Sequence, residues 1–463
     1  MTDLLKGSES DIRKLISDFF MSLSNHFEDL STFLDDVHTL DKLKNVLDVG
    51  ILEQAFEHAG VATVRRRRLP LEAIMWSVIG MSLFRNETVW DIASRLDITL
   101  PGKNKLVAPS ALVQGRQRLG VEAVQHAFQL LAQRAFYETP YEQWCGLNLL
   151  AVDGVSFRTQ DNDENRNAFG SDSNQFGEGS YPQIRMCSLM EVSSHLLLDS
   201  SFDARHVGEM TLAKRLLPSV PDDSLTLFDR GYYSLGLLYQ WQTQGQNTHW
   251  MLPARKDLQY EIERSISAND KIIILKSSPQ AKRKFADLPE QITARLTTYK
   301  VNGKSYRVLS SLIDPMRYPY DELTEVYTQR WEIELGFREM KQGLHQSKHA
   351  LRSKKPDMVR QELWGLLLAY NLIRIVMIDA AKAENKLIPR QLSFSLCMRH
   401  IVAFLMLTPI HSASKLPLHY EELLNTLRMF VLPDRLPDRK YPRVVRKKPR
   451  KYPYKRKCQS ILN

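Results

Sequence analysis

Four residues that could carry out metal-assisted phosphoryl chemistry are spaced along one stretch of the chain. Tyr327, Arg330, Glu334 and Lys341 are separated by two, three and six residues. At ~100° per residue of helix, they fall within about 60° of arc. The carboxylate could hold a divalent ion, and the cations could hold phosphate groups. The alternative is an exposed helix face with ion pairs at helical spacing.

The same stretch is expected to form one continuous helix. Good helix formers fill it, with Asp321 as a possible N-cap and Gly343 as a possible end. Glu332 and Glu339 also lie in this helix, but they point about 140–160° away from Glu334. We therefore expect Glu334 to be the acid that acts in the chemistry. Glutamine at position 332 or 339 is expected to change only a peripheral charge and to leave cleavage intact.

Two aspartates occur where buried strands are expected. Asp153 lies inside the nearly continuous apolar run 147–157, and Asp229 follows the run 224–228. An aspartate within an apolar strand is costly unless it binds something, although Asp153-Gly154 could also open a turn. Asp229 is predicted to lie at the carboxyl end of its strand, which is where α/β sheets bind their ligands.

The spacing of the four residues described first resembles the YREK signature of the insertion-sequence-four family of DDE transposases. Asp153-Gly resembles the first aspartate motif of that family, and Asp229-Arg-Gly-Tyr resembles the second. Residues 65–72, with four arginines followed by Leu-Pro-Leu-Glu, resemble the N-terminal region of the same family. The likeness extends from about residue 50 to about residue 450.

Two aspartates and a glutamate could hold two Mg²⁺ or Mn²⁺ ions through oxygen ligands. Asp153 would bridge both ions, while Asp229 and Glu334 would each favour one. Arg330 and Lys341 would hold phosphates next to the scissile bond, arginine through paired hydrogen bonds and lysine as a point charge. These three acids are therefore the predicted catalytic and metal-binding residues.

Five further residues are candidates for DNA contact, each with a second interpretation. Tyr327 could donate to a phosphate oxygen or simply pack, and Arg230 could hold phosphate or pair with a neighbouring carboxylate. Trp250, Tyr299 and Tyr306 could stack on a base flipped out of the DNA, at ~1–3 kcal/mol per stacked base. Core packing is the alternative for each of these aromatics.

The order of the elements predicts an α/β fold with an RNase H-like core at residues 145–380. Three strand-like runs are followed by a helix, a strand, a helix and the late acidic helix. The family resemblance implies a β-rich insertion, placed at about 246–315. A helical DNA-binding domain is predicted at 1–140, a helical region at 385–432 and a basic, flexible tail at 433–463.

The helical N-terminal part carries a cluster of basic residues that could bind DNA. Four arginines occupy positions 65–68, and a predicted helix at 109–119 has a polar face with Ser110, Gln114 and Arg116. Short helices with a basic cluster are typical of helix-turn-helix modules. A plain helical bundle with exposed arginines fits the same sequence.

Charge and apolar content narrow the possible partners. The chain has a net charge of +10, and residues 435–457 hold twelve Lys or Arg against one acid. This basic segment favours a polyanion, most simply nucleic acid. Four scattered cysteines indicate a reducing compartment. The apolar run 363–378 is interrupted by Asn371 and Arg374, so we expect a buried helix and no membrane partner.

The resemblance implies a metal-dependent, cut-and-paste DNA transposase. It would bind terminal inverted repeats as a homodimer and cleave the transposon end through a hairpin intermediate. It would act in the bacterial cytoplasm, at the nucleoid. An RNase H-fold nuclease would share the metal site without needing the N-terminal helices or the flanking cations. A transposase-derived DNA-binding regulator would be expected to have lost an acid, and all three acids are present.

Overall fold

The computed structural model describes residues 46–433, apart from short segments. These segments are 62–68, 97–98, 101–102, 172, 175–176, 180, 302–303, 347–349, 383–386 and 408–414. The arginine run at 65–68 and all but the first residue of the tail predicted at 433–463 therefore lie outside the described residues.

Helices and strands alternate along the described chain. The α-helices are α1 (Val49–His58), α2 (Leu71–Leu83), α3 (Val89–Arg95), α4 (Pro109–Leu119), α5 (Glu122–Tyr137), α6 (Asp163–Phe169), α7 (Glu209–Lys214), α8 (Leu235–Thr243), α9 (Pro279–Lys284), α10 (Tyr320–Thr328), α11 (Trp331–Glu339), α12 (Pro356–Lys382), α13 (Phe394–Leu407) and α14 (Leu416–Arg428). The strands are β1 (Thr99–Leu100), β2 (Lys103–Leu106), β3 (Gln143–Trp144), β4 (Leu147–Arg158), β5 (Ser173–Asn174), β6 (Gly177–Glu178), β7 (Gln183–Glu191), β8 (Leu197–Ala204), β9 (Ser224–Phe228), β10 (Thr248–Pro253), β11 (Glu261–Ser267), β12 (Asp270–Lys276), β13 (Gln291–Val301) and β14 (Lys304–Ser310).

The central sheet has the strand order and directions of an RNase H-like core. Its order is β8-β7-β4-β9-β10. Strands β4, β9 and β10 are parallel, while β4, β7 and β8 pair in antiparallel fashion. Two parallel connections bring the carboxyl ends of β4 and β9 to one edge of the sheet. The predicted α/β class with this core is confirmed.

The β-rich insertion begins later than predicted. Strand β10 lies parallel to β9, with Trp250 opposite Thr226, so it is the last strand of the core. Strands β11 to β14 then extend the sheet in antiparallel fashion, and β14 pairs with β10. The start at residue 246 is therefore wrong, because the apolar run 249–253 is buried between two neighbouring strands rather than forming part of an added hairpin.

Alternate residues of β4 face two separate hydrophobic cores. Leu149 and Ala151 pack into the core that contains the N-terminal helices and α12. Leu150 and Val152 pack into the core on the other face, which also contains residues of α7 and α8. Burial on both faces explains the nearly continuous apolar run before Asp153.

Helix α12 runs through the first of these cores. By length and composition it could cross a membrane, but 89% of its most apolar window is buried inside the protein. Its two polar interruptions are bound internally, since Asn371 donates to Leu197 O at 2.8 Å and Arg374 is fully buried. The prediction of a buried helix at this position is confirmed.

The N-terminal helices present less charge to solvent than the sequence suggests. Arg116 on α4 is buried, and its guanidinium donates to Gln361 Oε1 at 3.0 Å and Ser353 Oγ at 3.2 Å. It therefore joins α4 to α12 instead of lying on a DNA-facing surface. Ser110 and Gln114 on the same helix are exposed, as predicted.

Candidate active site

Parallel pairing places Asp153 and Asp229 side by side. The register of β4 and β9 aligns Val152 with Phe228, so the following residue on each strand is an aspartate. Asp153 Oδ1 accepts a hydrogen bond from the Gly154 N–H at 2.8 Å. Asp229 caps the short turn after β9 by accepting from the Gly231 N–H. Asp153, in the middle of β4, thus lies beside Asp229 at the point where the pairing of β4 with β9 ends.

The helix that carries Glu334 is shorter than predicted. Helix α10 ends at Thr328, and the Arg330 N–H bonds to Tyr327 O at 3.1 Å, which is the tighter spacing of a 3₁₀ turn. Helix α11 then covers Trp331–Glu339 and passes into a π-helical turn. The prediction of one continuous helix is wrong, because hydrogen-bond spacing changes at both ends of the α11 segment.

Arg330, directly before α11, nevertheless lies beside Glu334, and the two form the ion pair that the alternative interpretation expected. Arg330 Nη2 lies 3.0 Å from Glu334 Oε1. The Arg330 side chain is 10% exposed and the Glu334 side chain 38% exposed. The guanidinium also lies over the Trp331 ring, 4.6 Å from its centre. Arg330 is therefore a buried cation held directly beside the candidate catalytic glutamate.

Electrostatics connect the three acids. Burial raises the pKa of Asp153 to about 6. The Gly154 hydrogen bond and the Arg330 charge lower this pKa, while the charges of Asp229 and Glu334 raise it. Asp153 therefore lies within electrostatic reach of both other acids, and like charges gathered in this way favour a bound cation.

The donor set fits a hard divalent ion. All three side chains offer carboxylate oxygens, which are the ligands that Mg²⁺ and Mn²⁺ prefer. Among the residues that the structure describes, no three Asp, Glu, His or Cys side chains are gathered at metal-binding distances. Each acid instead binds a local donor: Gly154 for Asp153, Gly231 for Asp229 and Arg330 for Glu334.

Tyr327 and Lys341 contact the two strands that position the aspartates. The Tyr327 hydroxyl donates to Phe228 O at 3.2 Å, and burial raises the pKa of Tyr327 to about 12. This bond favours the packing interpretation of Tyr327. Lys341 Nζ lies 5.5 Å from the centre of the Phe157 ring, and burial followed by the charge of Arg158 lowers the Lys341 pKa. The sequence analysis missed Arg158, an exposed cation at the end of β4.

A cavity of about 610 Å³ separates α10 and α11 from the insertion. Arg230, Tyr306 and Trp331 line it. Tyr306 is 52% exposed and Trp331 57% exposed. Trp331 was missed by the sequence analysis, although its place directly after Arg330 could have pointed to it.

The prediction that Trp250 contacts DNA is wrong in this structure. Trp250 has no exposed surface, because it lies on a core strand between β9 and β14 and packs into the second core. Tyr299 is also buried and stacks on Tyr320, with ring centres 5.0 Å apart. Tyr306 is therefore the one of the three predicted aromatics that offers an open ring.

Glu332 and Glu339 point away from the candidate catalytic acids, as predicted, but they are not peripheral. Their side chains are 15% and 20% exposed, respectively. Both contact His195, and Glu339 also forms an ion pair with Arg374. The expectation of a solvated charge fails here, because this face of α11 packs against the sheet and α12.

Comparison with known proteins gives consistent matches. Residues 144–372 match the family model of the transposase DDE domain, and residues 37–129 match that of the insertion element 4 transposase N-terminal region. The chain is 44% identical to transposase InsG for insertion sequence element IS4 of Escherichia coli (strain K12), covering 92% of this chain and 98% of the relative. It is 38% identical to putative transposase InsZ of the same organism over 43% of this chain and 67% of the relative. The cryo-EM structure of the piggyBac transposase synaptic complex with hairpin DNA matches at a TM-score of 0.41 and 12% identity, over 87% of each chain.

Proposed function

Since the chain belongs to the insertion element 4 family of DDE transposases, we propose that its catalytic and metal-binding residues are Asp153, Asp229 and Glu334. The chain is a DNA transposase, an enzyme that cleaves DNA strands. All three acids fall within the matched DDE region at 144–372. The family defines the activity, and the proposal is that these three acids perform it.

One observation carries this assignment. Asp153 comes from β4 and Asp229 follows β9, and the pairing of Val152 with Phe228 places the two aspartates side by side. Glu334 lies on α11, directly after the helix whose Tyr327 hydroxyl bonds at 3.2 Å to the carbonyl of the residue before Asp229. Three separate elements thus bring acids towards the point where the pairing of β4 with β9 ends. Asp163, a nearby aspartate in the sequence that lies on α6, is by contrast exposed.

The resident ions are proposed to be Mg²⁺ or Mn²⁺, with two in each active site. When bound between the three acids, such ions would activate the attacking oxygen and stabilise the leaving oxygen of a phosphodiester. Glu334 would have to leave Arg330 to act as a ligand, since its Oε1 now accepts from Arg330. Arg330 would then be free to hold a phosphate of the DNA through paired hydrogen bonds.

Four cations are proposed to hold the DNA backbone around the acids. Arg330 and Lys341 flank Glu334, Arg230 follows Asp229, and Arg158 lies close enough to Lys341 to lower its pKa. Arg230 is exposed and lines the 610 Å³ cavity. Phosphate contacts of this kind position DNA without reading its sequence.

The cavity is proposed to accept an unpaired base during cleavage. Tyr306 from the insertion and Trp331 from α11 offer exposed rings on its lining. Stacking between such rings would stabilise a base that has left the helix. A hairpin intermediate requires a sharp turn of the DNA strand, and removal of one base from the stack would relieve that turn. A cavity with two exposed rings therefore supports cleavage through a hairpin intermediate.

We also propose that the protein binds terminal inverted repeats as a homodimer in the cytoplasm, at the nucleoid, and later engages target DNA. The match at residues 37–129 to an insertion element 4 N-terminal region supports an end-binding role for the helical N-terminal part. Ser110 and Gln114 are exposed there and could contact base edges. The basic segment at 435–457 supplies sequence-independent attraction to DNA.

Single substitutions test the residue assignment. Asp153→Asn and Asp229→Asn should abolish cleavage of DNA that carries the ends of the element, because Asn keeps the shape but loses the charge. Gel-shift binding of the same DNA should persist. Asp163→Asn is the matched control and should cleave normally. Loss of cleavage in Asp163→Asn, with activity retained in the other two, would overturn the assignment. Cleavage of unrelated DNA at an equal rate would favour a general nuclease.

A further inference from the structure

Helix α11 has a second face that is occupied by contacts. Glu332, Gly336 and Glu339 follow one another at spacings of four and three residues, so they form one stripe along the helix. This stripe, called the back face below, points away from Glu334. It packs against the turn between β7 and β8 and against α12.

His195 holds both ends of the back face. Its Nε2 lies 3.0 Å from Glu332 Oε2, and its Nδ1 lies 3.3 Å from Glu339 Oε2. The His195 side chain is 2% exposed, and its backbone has a φ of 62°. Few non-glycine residues adopt this left-handed conformation, so the turn between the strands is committed to a particular shape at this residue.

Helix α12 completes the contacts. Arg374 forms an ion pair with Glu339 and lies 3.0 Å from His195 Nδ1. The Tyr370 hydroxyl donates to Glu339 Oε2 at 3.1 Å. Burial would raise the pKa of Glu339, but the charges of Arg374 and His195 outweigh it and lower the pKa to about 2. Glu339 is thus an ionised group bound by three partners.

The centre of the back face has no spare room. A Cβ atom at Gly336 would lie 2.9 Å from Met190 Sδ and 3.2 Å from Tyr370 Oη. Only glycine lets α11 approach the sheet and α12 this closely. Close packing at Gly336 in the middle and polar contacts to His195 at both ends restrain the rotation of α11.

The regular hydrogen bonding of α11 is interrupted on both sides. The helix has nine residues, with a 3₁₀-type turn before it and a π-helical turn after it. A helix this short depends on tertiary contacts for its stability. A rotation of one residue step, ~100°, would carry Glu334 away from the aspartates. The contacts of the back face oppose such a rotation, together with the buried side chains of Ile333 and Phe337.

We propose that Glu332, Glu339 and His195 are positioning residues, which fix the rotation of α11 and thereby direct Glu334 towards Asp153 and Asp229. This inference rests on the proposed catalytic role of Glu334. Positioning groups behind metal ligands commonly affect metal affinity or activity by ~10–100-fold. Glu332 and Glu339 therefore support catalysis without touching substrate or ion.

His195→Asn is the sharpest test, because asparagine tolerates a positive φ but is too short to bridge both glutamates. The matched control is His249→Asn. His249 is also partly buried and uses both ring nitrogens, at 3.1 Å to Ser311 Oγ and 3.0 Å to Asn247 Oδ1, but it lies on β10. Four measurements are compared: melting temperature, gel-shift binding of end DNA, Mn²⁺ binding by electron paramagnetic resonance without DNA, and the Mg²⁺ dependence of cleavage.

For His195→Asn we expect Mn²⁺ affinity to fall by ~10–100-fold and the Mg²⁺ concentration for half-maximal cleavage to rise in parallel. End binding should stay within about twofold of the wild type, since the DNA contacts are on other surfaces. His249→Asn should lower the melting temperature without changing either metal measurement. Unchanged Mn²⁺ affinity in folded His195→Asn would overturn the inference.

Gly336→Ala provides a second test if His195→Asn does not fold. Alanine is the better helix former, but its methyl group must push against Met190 and Tyr370. We therefore expect Gly336→Ala to bind Mn²⁺ more weakly than the wild type, although its intrinsic helix propensity is higher. Normal Mn²⁺ binding would overturn the inference. The proposed function fails separately, if Glu334→Gln still cleaves. An inactive Glu334→Gln together with normal metal binding in both back-face variants would reject only the positioning role.

Discussion

Glutamine substitutions along α11 should separate chemistry from stability. Glu334 is 38% exposed and pairs with Arg330 four residues earlier. Solvent screens the partly exposed Glu334, and glutamine would keep an oxygen that can accept from the buried Arg330, so the substitution should lower the free energy of unfolding by no more than ~1 kcal/mol. Glu334→Gln should therefore fold and melt almost as the wild type does. Cleavage should fall by ~10³-fold or more, the upper range for loss of one group that stabilises charge in the transition state.

Glu339→Gln should show the opposite pattern. Arg374 has no exposed surface, and the substitution leaves its charge without its carboxylate. Breaking a buried ion pair in this way costs ~3–5 kcal/mol. With an unfolding entropy of ~2.1 cal/mol/K per residue over a chain of 463 residues, this cost lowers the melting temperature by about 3–5 °C. Cleavage per folded molecule should fall by ~10–100-fold, well short of the loss in Glu334→Gln.

The assay combines thermal unfolding, gel-shift binding and end cleavage for both variants. Glu325→Gln is the matched control, because Glu325 is exposed on α10 and should change none of the three measurements. Two results would refute the reasoning. One is retained cleavage in Glu334→Gln with cleavage abolished in Glu339→Gln, and the other is a melting temperature for Glu339→Gln equal to that of the control.

Three further predictions follow from the same structure. Trp250→Ala should lower the free energy of unfolding, measured by urea titration, by ~3–5 kcal/mol, because it leaves a cavity in the core. Tyr306→Ala should keep the stability of the wild type and weaken the hairpin step, measured on cleavage gels, by ~1–3 kcal/mol. Equal losses of stability in the two variants would contradict this contrast. Deletion of 435–463 should flatten the slope of the logarithm of the DNA-binding constant against the logarithm of salt concentration by roughly 5, if about six cations contact phosphate. An unchanged slope would assign the tail to another partner. Because the pKa of Glu339 is lowered from 4.5 to about 2, its ionised carboxylate stabilises the protein above about pH 4.5, and this stabilisation is lost as the pH falls towards about 2. The melting temperature of Glu339→Gln, measured by calorimetry, should therefore fall less steeply with decreasing pH than that of the wild type. Parallel curves of melting temperature against pH would contradict this prediction.

The three candidate acids and the RNase H-like core could be predicted from the sequence because both depend on local patterns of residues. Asp153 interrupts one apolar run and Asp229 ends another, and two parallel strands in register bring these positions together. The spacing from Arg330 to Glu334 is a helical contact, and it survives because both residues lie within the same local turn. The comparisons confirm the family, while the catalytic roles of the individual acids stay predictions.

The features that sequence reasoning missed depend on tertiary neighbours. The break between α10 and α11 has no proline or glycine to announce it. Trp250 has the same local pattern whether its strand belongs to the core or to the insertion, and only its pairing with β9 decides. Glutamate is a residue type that usually lies on the surface, but Glu339 is bound by Arg374 and His195, which are distant from it in the sequence. A helical wheel gives the direction of a side chain and not what lies there.

Metal-dependent cleavage of the protein's own DNA ends tests the central claim most directly. The purified protein is incubated with DNA that carries these ends in Mg²⁺, in Mn²⁺, in Ca²⁺ alone and in EDTA, with Glu334→Gln alongside. An all-carboxylate site predicts strand cleavage in Mg²⁺ and Mn²⁺ only. Glu334→Gln should shift the DNA in a gel and cut it under none of these conditions. Cleavage at full rate in EDTA, or undiminished cleavage by Glu334→Gln in Mg²⁺, would contradict the assignment of Asp153, Asp229 and Glu334 as the metal-binding catalytic residues.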